Sequence, residues 1–205
     1  MVVQAPLSAR PVGFVVAGGL STRMGRDKAL LPWQGSTLLD HAIARLAAVC
    51  ADVRILCGPE PRYEDRGRPL VLDAIPDAGP LAGIAAGLES AGDASGVYLG
   101  VDLPFVTVAL LAALAAMEDD AEAVVPVTPG GPEPLCALYR AGCRGPVRAR
   151  LAAGDRKMTS FWPDLRVRTL EGDALAAFGD PRRIFHNVNA PPDYLGLAGQ
   201  TKERS

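Results

Sequence analysis

The stretch VVAGGLSTRMGRDKALLPWQG, Val15 to Gly35, starts as a buried strand, breaks into glycines, and then crowds Arg23, Arg26, Asp27 and Lys28 into six positions. The run from Val12 to Val16 is nearly all apolar, as a central parallel strand buried on both faces requires. Backbone N–H groups in a turn can converge on an anion, and glycine admits close approach because it has no Cβ. Ala17, Gly18, Gly19 and Leu20 are therefore candidates to cradle phosphate oxygens. Arg23 would add a planar fork and Lys28 a mobile point charge. The loop is neither of two familiar glycine motifs. Gly18 and Gly19 are adjacent, against GxGxxG, and the spacing from Gly19 to Gly25 is one residue too long for GxxxxGK[ST]. On the glycines alone, a plain strand-to-loop turn with solvated charges stands equally open.

Outward from this loop the chain alternates strand and helix patterns. Ser36 or Thr37 can cap a helix to about Cys50 with Leu39, Ile43, Leu46 and Val49 on one face. Val53 to Cys57 reads as a second strand and Pro69 to Leu72 as a weaker third. Pro80 opens a helix with Leu81, Ile84 and Leu88 on its inner side. Val97 to Val101 is a strand ending at Asp102, Thr107 caps a helix to about Met117, and Ala123 to Val127 is again strand. Thr128 to Pro132 reads as a turn and Leu135 to Tyr139 as a strand. Beyond Cys143 the pattern weakens until a strand-like Phe185 to Val188 and a short helix from Pro191. This is an α/β chain: a Rossmann-like open, mostly parallel sheet with helices on both faces. Ligands bind such sheets beyond the carboxyl ends of the strands, where the glycine loop, Asp73 and Asp102 fall. One domain over 12–195 is expected, with a loose leader at 1–11 and a tail at 196–205.

The composition confines the function. At 205 residues, 49% hydrophobic and 21% charged, the chain reads as a soluble globular protein. A net charge of −2 supplies no global field toward nucleic acid or an anionic membrane, so anion binding must be local. No apolar run approaches the roughly 20 residues of a membrane helix, and no secretory signal is visible, so a cytoplasmic protein is expected. Cys50, Cys57, Cys136 and Cys143 lack CxxC or His spacing and read as buried, reduced thiols. His41 and His186 have no acidic or nucleophilic neighbour in sequence that would mark acid–base chemistry. Trp33 and Cys136 read as packing residues.

Taken whole, AGGLSTRMGRDKALLPWQG resembles the signature AGGxSxRMGxDKxLL of the molybdenum cofactor guanylyltransferases, which attach GMP to molybdopterin. DAIPDAGPLAGIAAGL at 73–88 is similar to the family's aspartate loop and GPLAG. VYLGVDLPFV at 97–106 matches its strand ending in D-x-P-F, and NVNAPPDY at 187–194 its closing N-x-N segment. The resemblance runs in order from about residue 12 to 195 and implies the nucleotide-diphospho-sugar transferase type of fold. It also implies a nucleotide site of Val16, Ala17, Gly18, Gly19, Lys28, Asp73, Gly83 and Asp102, with Asp102 holding Mg²⁺ and Arg23, Lys28 and Asp102 serving catalysis. Asp77 competes with Asp73 for the nucleotide contact, and Asp27 would brace the loop through its backbone.

Asn187 and Asn189 would face the pterin half of the cleft, unless they are turn formers before Pro191. Arg156 and Lys157 are candidates for the molybdopterin phosphate and equally a solvated cluster. The implied substrates are GTP and molybdopterin, with transient contacts to the enzymes that supply the pterin and accept the dinucleotide. The chain departs from the pattern at three places. Leu56-Cys57-Gly58-Pro59 lacks the asparagine that touches guanine. Ala190 and Pro192 replace Thr and Glu. Glu133 stands where a His commonly precedes Pro-Leu. Other readings are a CTP-dependent cytidylyltransferase, a sugar-phosphate or methylerythritol nucleotidyltransferase, and a non-catalytic nucleotide-binding protein on the same fold.

Overall fold

The computed structural model describes residues 10–18, 27–73, 75, 79–117 and 120–188. Strand β1 (Val12–Val16) is buried along its whole length and lies between β4 (Asp52–Leu56) and β6 (Gly96–Gly100), parallel to both. β5 (Leu70–Val71) continues the parallel run beyond β4. On the other side β9 (Cys136–Tyr139) runs antiparallel between β6 and β7 (Ala123–Thr128), and β10 (Val167–Leu170) closes the edge parallel to β7. The strand order is therefore β10-β7-β9-β6-β1-β4-β5, mostly parallel with a reversed strand in its middle.

The alternation of side chains along β1 explains why helices must cover both faces. Val15 packs with Leu39, Ile43 and Leu46 of α1 (Leu38–Ala47) and with Leu110, Leu111 and Leu114 of α3 (Val108–Ala115). Phe14 and Val16 pack on the opposite face with Leu81, Ile84 and Leu88 of α2 (Pro80–Ala91), and Val147 of α4 (Arg144–Ala152) belongs to the same layer. Caps set the helix starts as expected. The Thr37 and Thr107 hydroxyls accept from the Asp40 and Leu110 amides, and Pro80 occupies the first turn of α2.

Several sequence expectations shift. Val127 to Pro132 forms a small hairpin, with β8 (Gly131–Pro132) folding back on β7, where only a turn was expected. The unclear region after Cys143 resolves into α4, β10, α5 (Gly172–Ala176) and α6 (Pro181–Ile184). Phe185 to Val188 is not a strand: Phe185 caps α6, and Val188 donates its N–H to the Asp102 carbonyl at 3.0 Å while its side chain packs with Trp33 and Leu38. With no ladder, the expected alternation of Asn187 and Asn189 has no strand to rest on. Asn189 and the helix expected from Pro191 lie outside the described residues. A short hairpin of β2 (Pro32–Trp33) and β3 (Ser36–Thr37) places Trp33 edge-on to Phe105 at 5.3 Å, so Trp33 packs. The four cysteines are buried free thiols.

Gly87 of α2 lies over Tyr98, whose ring is stacked on Phe14 and whose hydroxyl donates to the Ile84 carbonyl. A Cβ at Gly87 would stand 2.5 Å from that hydroxyl oxygen, while one at Gly145 of α4 meets nothing. Gly87→Val is expected to destabilise the fold by about 1–3 kcal/mol, the usual cost of overpacking, seen as a lower urea midpoint, and Gly145→Ala is expected not to lower it.

Candidate functional site

The parallel register sets the ends of three strands side by side. Val16 pairs with Leu56 on one side and Gly100 on the other, so the segments starting at Ala17, Cys57 and Val101 leave the sheet together. Backbone bonds extend this edge: Ala17 N–H donates to the Leu56 carbonyl at 2.9 Å, and Val101 N–H to the Val16 carbonyl at 3.2 Å. Asp73, just past β5, joins them through its N–H to the Gly58 carbonyl at 2.9 Å.

This geometry narrows the expected phosphate cradle. The Ala17 amide is spent on the sheet and cannot serve an anion, because a buried N–H has one hydrogen to give. Gly18 is the described residue of this turn that must be glycine. A Cβ there would stand 2.9 Å from the Gly58 nitrogen, so only glycine lets the turns after β1 and β4 come this close. Gly19, Leu20 and Arg23 lie outside the described residues.

Lys28 and Asp102 meet although they are 74 positions apart, Nζ to Oδ2 at 3.3 Å. Their side chains retain 16% and 27% of their exposure, so the pair is partly screened and open to an incoming ligand. Lys28 opens a short 3-10 turn, Lys28–Leu30, which Asp27 caps by accepting from the Ala29 amide at 3.0 Å. The expected bracing by Asp27 is therefore present. Asp102 lies two residues past the end of β6, and its carboxylate lies over Gly100, where a Cβ would come within 2.5 Å of Oδ1.

Asp73 is half-buried, and its pKa is raised because burial disfavours the charged form. Its Oδ1 has no hydrogen-bond partner among the described residues, and it lies 3.7 Å from the point where a Cβ on Gly83 would sit. Two expected nucleotide residues thus stand together around an unpaired buried acceptor. Asp77 lies outside the described residues. Cys57, at the place of the missing asparagine, is turned inward, its thiol donating to the Val71 carbonyl at 3.7 Å.

Sequence reasoning missed two features. Glu133 is half-buried near Asp102, and its pKa is pushed up to about 7, first by burial and then by the Asp102 charge, with a hydrogen bond from Thr128 opposing both. The turn between Pro134 and Cys136 carries it there, since Leu135 accepts from the Gly100 amide at 2.8 Å. Tyr63 and Arg62 reach Asp27 from the loop after β4. No local pattern announces either, because each joins residues from distant elements.

Asn187 is exposed beside Val188, which bonds Asp102, so it lies next to the carboxylate's backbone. Arg156 and Lys157 sit on the exposed turn after α4, where the Lys157 amide donates to Asp155. Among the described residues no group of three or more His, Cys, Asp or Glu side chains could hold a metal. A hard divalent ion needs only one or two carboxylates when substrate phosphates complete its shell. Asp102 offers hard oxygen atoms of that kind, and Glu133 lies near enough for the Asp102 charge to raise its pKa.

Residues 13–168 match the family model described as the MobA-like NTP transferase domain. A Mycobacterium tuberculosis H37Rv protein named "Probable molybdenum cofactor guanylyltransferase" is 39% identical over 194 residues, spanning 91% of this chain and 92% of its own. The fold matches a crystal structure of molybdopterin-guanine dinucleotide biosynthesis protein A from Archaeoglobus fulgidus, with TM-score 0.77 at 23% identity over 94% of this chain and 99% of that one. It also matches an M. tuberculosis H37Rv protein solved as a manganese complex, with TM-score 0.63 at 20% identity over 92% and 97% of the two chains. The architecture is that of the nucleotide-diphospho-sugar transferase type of nucleotidyltransferase, and this chain belongs to the MobA-like NTP transferase family.

Proposed function

We propose that this protein transfers GMP from GTP to the phosphate of molybdopterin, forming the guanine dinucleotide and releasing pyrophosphate. The observation that carries the reading is the Lys28–Asp102 pair at the mouth of the glycine turn, a cation and a carboxylate converging where a phosphate chain would enter. An oxygen of the molybdopterin phosphate attacks the α-phosphorus of GTP, the new P–O bond forms, and the bond to the β-phosphate breaks. The acceptor is already an anionic nucleophile, so no general base is required. The protein's work is placement and charge neutralisation.

In this reading the Gly18 turn and Lys28 hold the triphosphate, and Arg23 assists from the same loop. Asp73 accepts from a donor on the sugar or base, using the oxygen that is otherwise unpaired. Asp102 and Glu133 would hold Mg²⁺, which when bound draws charge off the phosphate oxygens. Asn187, with Asn189, borders the acceptor side, and Arg156 and Lys157 are assigned to the molybdopterin phosphate. No described helix is long and apolar enough to cross a membrane. In this reading the enzyme works in the cytoplasm, where it meets the enzymes that deliver and receive the pterin.

Purified protein with molybdopterin, Mg²⁺ and GTP is expected to release pyrophosphate, with CTP and ATP giving little. Asp102→Asn and Lys28→Ala are each expected to lower kcat/KM at least a hundredfold, consistent with the loss of preorganised charge. Preference for CTP would move the protein to the cytidylyltransferase reading, and GTP binding without turnover to the non-catalytic one.

Glu133 provides a pH test. Its folded pKa of about 7 lies above the usual carboxylate value of 4.5, so the folded protein favours the protonated form. The stability it contributes is therefore complete below about 4.5 and is lost as pH rises to about 7. Without divalent cations, the Tm of Glu133→Gln minus that of the unmodified protein is expected to grow between pH 5 and pH 8. A difference that stays flat across this range would contradict the assignment.

A further inference from the structure

Tyr63 has φ 72° and ψ 27°, a left-handed conformation that a bulky side chain rarely adopts. Such strain persists only where surrounding contacts over-determine it, and it concentrates at working sites. The ring is buried among the α1-side core residues, at 7% exposure, which fixes where its hydroxyl can point. That hydroxyl donates to Asp27 Oδ2 at 2.7 Å, across 36 positions of sequence. Arg62, the preceding residue, approaches the same oxygen with Nη1 at 3.4 Å and donates through Nη2 to the Cys57 carbonyl at 2.8 Å. The other Asp27 oxygen accepts the Ala29 amide and so caps the turn that opens with Lys28.

We infer that Tyr63 and Arg62 form a clamp on Asp27 that holds the Lys28 ammonium in line with Asp102, making Tyr63 a positioning residue for the nucleotide site. The links are hydrogen bonds of the structure: Tyr63 and Arg62 to Asp27, Asp27 to the Ala29 amide, and Lys28 to Asp102. The Cys57 carbonyl anchors Arg62 to the end of β4, which β1 holds in register with the end of β6. The clamp therefore refers the lysine turn to the same sheet edge that carries Asp102. Burial and the Asp27 carboxylate also push the Tyr63 pKa upward, so the hydroxyl remains a donor at physiological pH. A Gly at position 63 would relieve the backbone at no steric cost, yet it could not reach Asp27. The inference rests on the reading of Lys28 as a triphosphate ligand.

The test uses Tyr63→Phe, which keeps the ring and its packing, alone and combined with Lys28→Ala. GTP affinity is measured by calorimetry with Mg²⁺, and exchange of the Ala29 amide by NMR. Tyr63→Phe is expected to weaken GTP binding about fivefold, the equivalent of one ordinary hydrogen bond, and to have no further effect once Lys28 is removed. Exchange at Ala29 is expected to quicken by a similar factor while amides in α1 are unchanged. Equal weakening in both backgrounds, or unchanged exchange at Ala29, would overturn the clamp. Absence of GTP binding by the unmodified protein would overturn the functional reading instead, and the exchange measurement would still decide whether Tyr63 holds Asp27.

Discussion

A strand buried on both faces has no water to satisfy its backbone, so β1 must be hydrogen-bonded along both edges. β4 and β6 meet that demand in parallel, with Val16 opposite Leu56 and Gly100. Everything functional follows from the direction of this register. Parallel strands end on the same side, and three chain segments must leave the sheet within hydrogen-bonding reach of one another. Gly18 permits a close approach of this kind, against Gly58. The cleft is thus a consequence of how the core is covered.

Charge is then placed where the core ends. Lys28 arrives on a capped turn, Asp102 on the residues after β6, and Glu133 on the turn into β9. All are partly buried, where electrostatic effects exceed those at an open surface. Burial first, and then the Asp102 charge, disfavours the ionised form of Glu133, as its raised pKa records. A divalent cation with a polyphosphate relieves that tension and gives the lysine a second anion to meet. The site accordingly suits a reaction driven by positioning, with no nucleophilic side chain.

The first half of this architecture was legible in the sequence because its signals are local. The apolar run before Gly18, the Thr37 and Thr107 caps and Pro80 each act within a few residues. Asp102 was legible for the same reason, as the first polar residue past a buried strand. The reversal of β9 was not, since strand direction depends on what lies beside it, here β6 and β7. The C-terminal third was obscure because its elements are short or weakly patterned: α4 buries only Val147 fully, and α6 has four residues. Phe185 to Val188 carried strand-like residues, but Phe185 ends α6 and Val188 packs with Trp33 and Leu38 instead of joining a ladder. The Tyr63–Asp27 bond and the approach of Glu133 to Asp102 join distant parts of the chain, and no spacing rule reads such contacts.

The most direct test of the account is the anomalous density of Mn²⁺ in a crystal of the protein with GTP. The account predicts a metal peak on the Asp102 carboxylate, with the triphosphate running from that metal past Lys28 to the Gly18 turn. A nucleotide and metal bound away from this sheet edge would contradict it.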